Sequence, residues 1–103
     1  MTNSTDVNLE KICLDIILAS GNARGYLLES MEYLKPKNEE KISELFGLAQ
    51  KELTEAHRSQ TSLLTLEAKG DDVKMTVLLV HAQDHLMTTI TIRDLVEKFV
   101  EVL

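Results

Sequence analysis

Cysteine, proline and glycine are scarce in this chain of 103 residues and basic residues are outnumbered by acidic ones, and each shortage excludes something. A single cysteine, Cys13, rules out an internal disulfide, and its setting in "KICLDIIL" predicts a buried, inert thiol rather than a nucleophile. With 11 basic residues against 17 acidic ones the net charge is −6, which argues against non-specific binding to nucleic acid or to acidic phospholipid surfaces. No run approaches the roughly 18 consecutive apolar residues of a membrane span. The opening "MTNSTDVNLEK" lacks the basic and apolar regions of a signal peptide. These absences predict a soluble, cytoplasmic protein that binds no nucleic acid and inserts into no membrane, folded as a single domain over 1–103 around one core.

One proline and four glycines leave little punctuation, so each mark is informative. In "LKPKNEE" at 34–40, Pro36 and Asn38 predict a turn, with Asn38 capping a helix that starts at Glu39 and Glu40. In "AKGDD" at 68–72, Gly70 ends a helix and Asp71 or Asp72 begins another. The marks divide the chain into helices over about 8–34, 39–68 and 72–102, an all-α, antiparallel up-down-up three-helix bundle. The first segment repeats Leu9, Ile12, Ile16, Leu27, Met31 and Leu34 near helical spacing. The second lines up Ile42, Leu45, Phe46, Ala49, Leu53, Ala56, Gln60, Leu63 and Leu64 along one side of a helix rich in Glu, Lys and Gln. The third contains "KMTVLLV" and "TTITI", whose β-branched residues also suit strands, but no turn signal separates Val73 from Leu103 and the other segments offer only helices to pack against.

What is abundant where it is not expected is polarity within "LLVHAQDHLMTTI", residues 78–90: two histidines and an aspartate inside an aliphatic run. At about 100° per residue, Val77, Leu78, His81, Asp84, His85, Thr88, Ile92, Leu95 and Phe99 fall on one stripe, apolar at both ends and polar in the middle. The alternative is a solvated face without function. Bulky aliphatics flank the island on the same face, however, and three helices cannot cover a helix that is apolar almost all round at 77–80, so further burial between subunits is expected.

His81 and His85, four positions apart, could share a metal, and H-x-x-D-H approaches the H-x-x-E-H signature of one class of zinc peptidases. Such a site needs a further protein ligand, usually far downstream, and only 18 residues follow His85. A histidine that carries a phosphoryl group covalently needs no metal of its own. Helical phosphotransfer domains of two-component signalling place a Lys soon after that histidine, and none occurs between His81 and Arg93.

"LLVHAQDHLMTTIT" closely resembles the signature of the lactose/cellobiose-specific enzyme IIA family of the bacterial phosphoenolpyruvate-dependent sugar phosphotransferase system. "IILASGNAR" at 16–24 resembles the family's first helix and "EAHRSQTSLLTLEAKG" at 55–70 its second, so the similarity covers nearly the whole chain. The resemblance implies a homotrimer, a nine-helix bundle, in which His81 accepts phosphate from the phosphocarrier HPr. It passes that phosphate to the cysteine of the enzyme IIB component during uptake of a β-linked disaccharide such as cellobiose, lactose or chitobiose. It also implies that three copies of Asp84 meet on the threefold axis around a structural divalent ion, commonly Mg²⁺. Three carboxylates about 4 Å apart would repel by about 4 kcal/mol per pair at an effective dielectric near 20, so they require a cation or protons. Gln83 and His85 are expected either to help at His81, by hydrogen bonding the phosphoryl group and by orienting it, or equally to satisfy an interface partner. His57 beside Arg58 is expected at the surface, and Asn22 and Arg24 in inter-helix hydrogen bonds or phosphate binding. The alternative is a helical regulatory protein that binds partners without chemistry.

Overall fold

A computed structural model describes the backbone from residue 4 and the side chains from residue 8 onwards. Three helices, α1 (Ser4–Ser30), α2 (Glu39–Ala68) and α3 (Val77–Val102), run up, down and up in a rod of 55 × 20 × 17 Å. A 3-10 turn, Met31–Tyr33, extends α1 towards the first connection.

The ends of α2 fall at the expected positions, and their capping shows why. The Asn38 side chain accepts a hydrogen bond from the Lys41 N–H at 3.0 Å, and Glu39 and Glu40 stand at the positive end of the helix dipole. At the other end Gly70 takes φ +87°, and the N–H groups of Gly70 and Asp71 bond back to the carbonyls of Glu67 and Leu66. This is a Schellman closure, which needs the left-handed backbone that glycine adopts without a side-chain clash.

The start of α3 corrects the sequence reading. Neither Asp71 nor Asp72 begins it; the helix starts at Val77, and the Thr76 hydroxyl caps it by accepting from the Leu79 N–H at 3.1 Å. Its β-branched run stays helical, and three threonines satisfy their hydroxyls within the helix, Thr88, Thr89 and Thr91 donating to the carbonyls of Asp84, His85 and Met87.

α1 is the centre of the bundle: α2 and α3 both pack closely along it, while their own backbones stand further apart and meet through side chains. The core joins Ile16, Ala23 and Leu27 of α1 to Leu53 and Ala56 of α2 and to Ala82, Leu86 and Val96 of α3. The expected inner rows of α1 and α2 are largely confirmed, with Leu64 the exception at 63% exposed. The stripe of α3 that carries the polar island is divided: Leu78, His85 and Ile92 are partly buried, and the rest of it is exposed. Leu79, Ala82, Leu86, Thr89 and Val96 face the bundle, whereas Val77 (88% exposed), Leu95 and Phe99 face outward. Among the described residues no helix is long and apolar enough to cross a membrane.

Candidate functional site

The Thr76 cap fixes the first turn of α3 and places His81 just beyond it, exposed to solvent. One turn further, His85 is half-buried against α1. The two rings meet edge to face, with centroids 5.7 Å apart and planes at 90°. His85 lies over the glycine of "SGNAR": a Cβ on Gly21 would stand 3.8 Å from its Cε1, so the bare backbone of α1 forms the floor beneath the ring.

Arg24, three residues further along α1, engages the same turn of α3. Its Nη2 donates to the His85 carbonyl at 3.1 Å, to Thr88 Oγ1 at 2.6 Å and to Thr89 Oγ1 at 3.0 Å, and its Nε donates to Thr89 Oγ1 at 3.2 Å. The electrostatic result favours the neutral form of His85. Burial, then the Arg24 charge, then the neighbouring His81 push its pKa below the ordinary 6.5. Its Nδ1 is buried with no hydrogen-bond partner among the described residues, which also disfavours the imidazolium form.

The remaining expected site residues are distributed over other faces. Gln83, about 200° around the helix from His81, turns towards α2 and accepts from Gln60 Nε2 at 2.8 Å. On one protomer, therefore, Gln83 and His81 do not share a groove. Gln60 was visible in the sequence only as a polar residue in the apolar row of α2. Asp84 is exposed and faces away from the core, beside a groove of about 440 Å³ lined by Leu64, Met75, Val80 and Met87. Among the described residues no three His, Cys, Asp or Glu side chains of one chain gather closely enough to hold a metal. A single exposed carboxylate supplies too few oxygen ligands for a divalent ion, and Asp84 stands in an outward apolar row with Val77, Val80, Met87 and Leu95. His57 is exposed in a separate groove between α1 and α2, Asn22 is exposed, and Cys13 is 1% exposed with its thiol pKa raised by burial.

The fold and site together are those of a helical bundle with an exposed imidazole edge-on to a half-buried one on its third helix. The comparisons narrow that description. The profile of the family described as "PTS system, Lactose/Cellobiose specific IIA subunit" matches residues 11–103. The lactose-specific EIIA component of Streptococcus mutans is 41% identical over 87 residues, 84% of each chain, and the lichenan-specific phosphotransferase enzyme IIA component of Bacillus subtilis is 39% identical over 93 residues, 90% of this chain and 84% of that one. Among solved structures, the cellobiose-specific enzyme IIA of Bacillus anthracis superposes with a TM-score of 0.87 at 35% identity, covering 99% of this chain and 90% of the other. PtcA from S. mutans gives 0.87 at 37% identity, over 98% and 97%. The chain belongs to the lactose/cellobiose-specific IIA family of the sugar phosphotransferase system. Its role is thus in the phosphotransfer that accompanies sugar uptake.

Proposed function

We propose that His81 is the phosphoryl acceptor, taking the group from phospho-HPr and passing it to the cysteine of the enzyme IIB component. The observation that carries this reading is the pairing of an exposed His81 with a half-buried His85 edge-on to it at 5.7 Å. An unprotonated ring nitrogen of His81 attacks the phosphorus of the donor phosphohistidine; the donor N–P bond breaks as the new one forms, and the donor imidazole leaves. In the second step the IIB thiolate attacks the same phosphorus, an S–P bond replaces the N–P bond, and His81 is free again. His85, neutral and sterically held, limits the orientations open to the His81 ring.

The outward row of Val77, Val80, Asp84, Met87, Leu95 and Val102 supports a homotrimer seamed along α3, since so long an apolar face is costly to leave in water. In that assembly the Asp84 carboxylates would hold a Mg²⁺ ion, which supplies charge neutralisation and no step of the transfer. The location is cytoplasmic and the transported sugar a β-linked disaccharide such as cellobiose, lactose or chitobiose. The test is incubation with phosphoenolpyruvate, enzyme I and HPr: one acid-labile, base-stable phosphoryl group per chain, mapped to His81, is expected, and none would leave a helical protein that binds partners without chemistry.

A further inference from the structure

We propose that Arg24 is a positioning residue for phosphoryl transfer, clamping the His85–Thr89 turn of α3 to α1 so that His85 stays edge-on to His81. The inference rests on His81 being the acceptor.

All acceptors of the Arg24 guanidinium lie in a single turn of α3: the His85 carbonyl, Thr88 Oγ1 and Thr89 Oγ1. Thr89 is fully buried, and its hydroxyl also lies 3.4 Å from the Ser20 carbonyl of α1, so the polar clamp is built into an otherwise apolar contact. Guanidinium fits that task because its planar fork meets several fixed acceptors together, which a point-charged ammonium cannot do.

The neighbouring packing explains why a clamp is needed. Opposite His85, α1 presents Gly21 rather than a side chain. A glycine offers no side chain to interlock with the His85 ring, so that contact by itself holds the ring only loosely. Reacting groups tolerate only about 10–20° of misorientation. Arg24 fixes the rotation of α3 at the residue that touches His81, without reaching His81 itself.

The test is single-turnover transfer from phospho-HPr to the full chain, with helix content and melting followed alongside. Arg24→Gln is expected to lower the maximal rate about tenfold while leaving the half-saturating HPr concentration unchanged, and to weaken the nuclear Overhauser effect between the His81 and His85 rings. Arg24→Lys should recover part of the rate. Thr89→Val, which removes the buried acceptor, should shift rate and ring contact in the same direction, and combining it with Arg24→Gln should slow transfer no further. A folded Arg24→Gln protein that transfers at the wild-type rate overturns the inference, as does a rate loss with an undiminished ring contact. If Arg24→Gln fails to fold, Arg24→Lys and Thr89→Val decide by the same two readouts. A wild-type chain that takes no phosphoryl group on His81 removes the acceptor reading and this inference with it; a phosphorylated wild type matched by Arg24→Gln removes this inference alone.

Discussion

The ring of His85 stands perpendicular to that of His81, 5.7 Å between centroids, and rests on the glycine backbone of α1. The arrangement separates two tasks, because the outer imidazole meets solvent and partners while the inner one is held by the fold. His81→Ala should abolish phosphorylation and leave the helical fold and assembly intact. His85→Ala should slow transfer by about ten- to a hundredfold without abolishing it, in the range of a single misaligned group. Mass spectrometry and quenched-flow rates separate these outcomes; a stable phosphoryl group on the His81→Ala protein would move the acceptor elsewhere.

Burial and Arg24 lower the pKa of His85, which ties stability to pH with a definite sign. The unfolded chain takes up this proton more readily than the folded one. The stabilising contribution is therefore complete above about 6.5, the ordinary histidine value, and is lost as pH falls through the folded-state pKa. The His85 ring should titrate below its ordinary value by NMR. The melting temperature should fall more between pH 7 and 5 in the wild type than in His85→Gln, and equal falls would dismiss the burial argument.

Asp84 stands in the outward apolar row of α3, where the proposed trimer and a lone protomer differ most. Asp84→Leu should remove the need for metal, since a charge-free core packs at least as well as a compensated one. The variant should stay trimeric in chelator and still accept phosphate at His81, whereas the wild type should melt earlier in chelator. Sedimentation and thermal melts check this; a wild-type monomer indifferent to chelator would overturn the trimer and its ion together.

Leu86 and Leu95 lie on opposite sides of α3, the first fully buried and the second 56% exposed. Leu86→Ala should cost about 2–5 kcal/mol, the usual range for a buried leucine that leaves a cavity. Leu95→Ala should leave the protomer's own packing untouched and instead raise the concentration at which subunits dissociate. Denaturant melts at several protein concentrations distinguish them: the effect of Leu95→Ala should grow with dilution and that of Leu86→Ala should not.

The extent of α2 was legible in the sequence because everything that sets it is local: Asn38 before two glutamates, an apolar row at helical spacing, and Gly70 at a position with φ +87°. The burial of Cys13 and the helical state of α3 were legible for the same reason, the apolar neighbours of the one and the lack of a turn signal in the other. The start of α3 was not, because Asp71, Asp72 and Thr76 are all competent caps, and local chemistry does not rank them. The island of His81, Asp84 and His85 was visible as polarity out of place, but Gln83 carries no local mark that turns it towards Gln60 and away from His81.

By itself, then, the sequence determined that the chain is three helices, where the second begins and ends, and which imidazoles and carboxylate lie together on the third, since these follow from capping, spacing and helical period. Tertiary structure alone decided which apolar side of α3 faces inward and which residues reach across to His85. α3 is apolar on two opposite sides, so its period permits either orientation, and only packing along α1 selects the side of Leu79, Ala82, Leu86 and Val96. The bonds from Arg24 to that turn span 61 to 65 positions of chain, a separation over which no local preference acts.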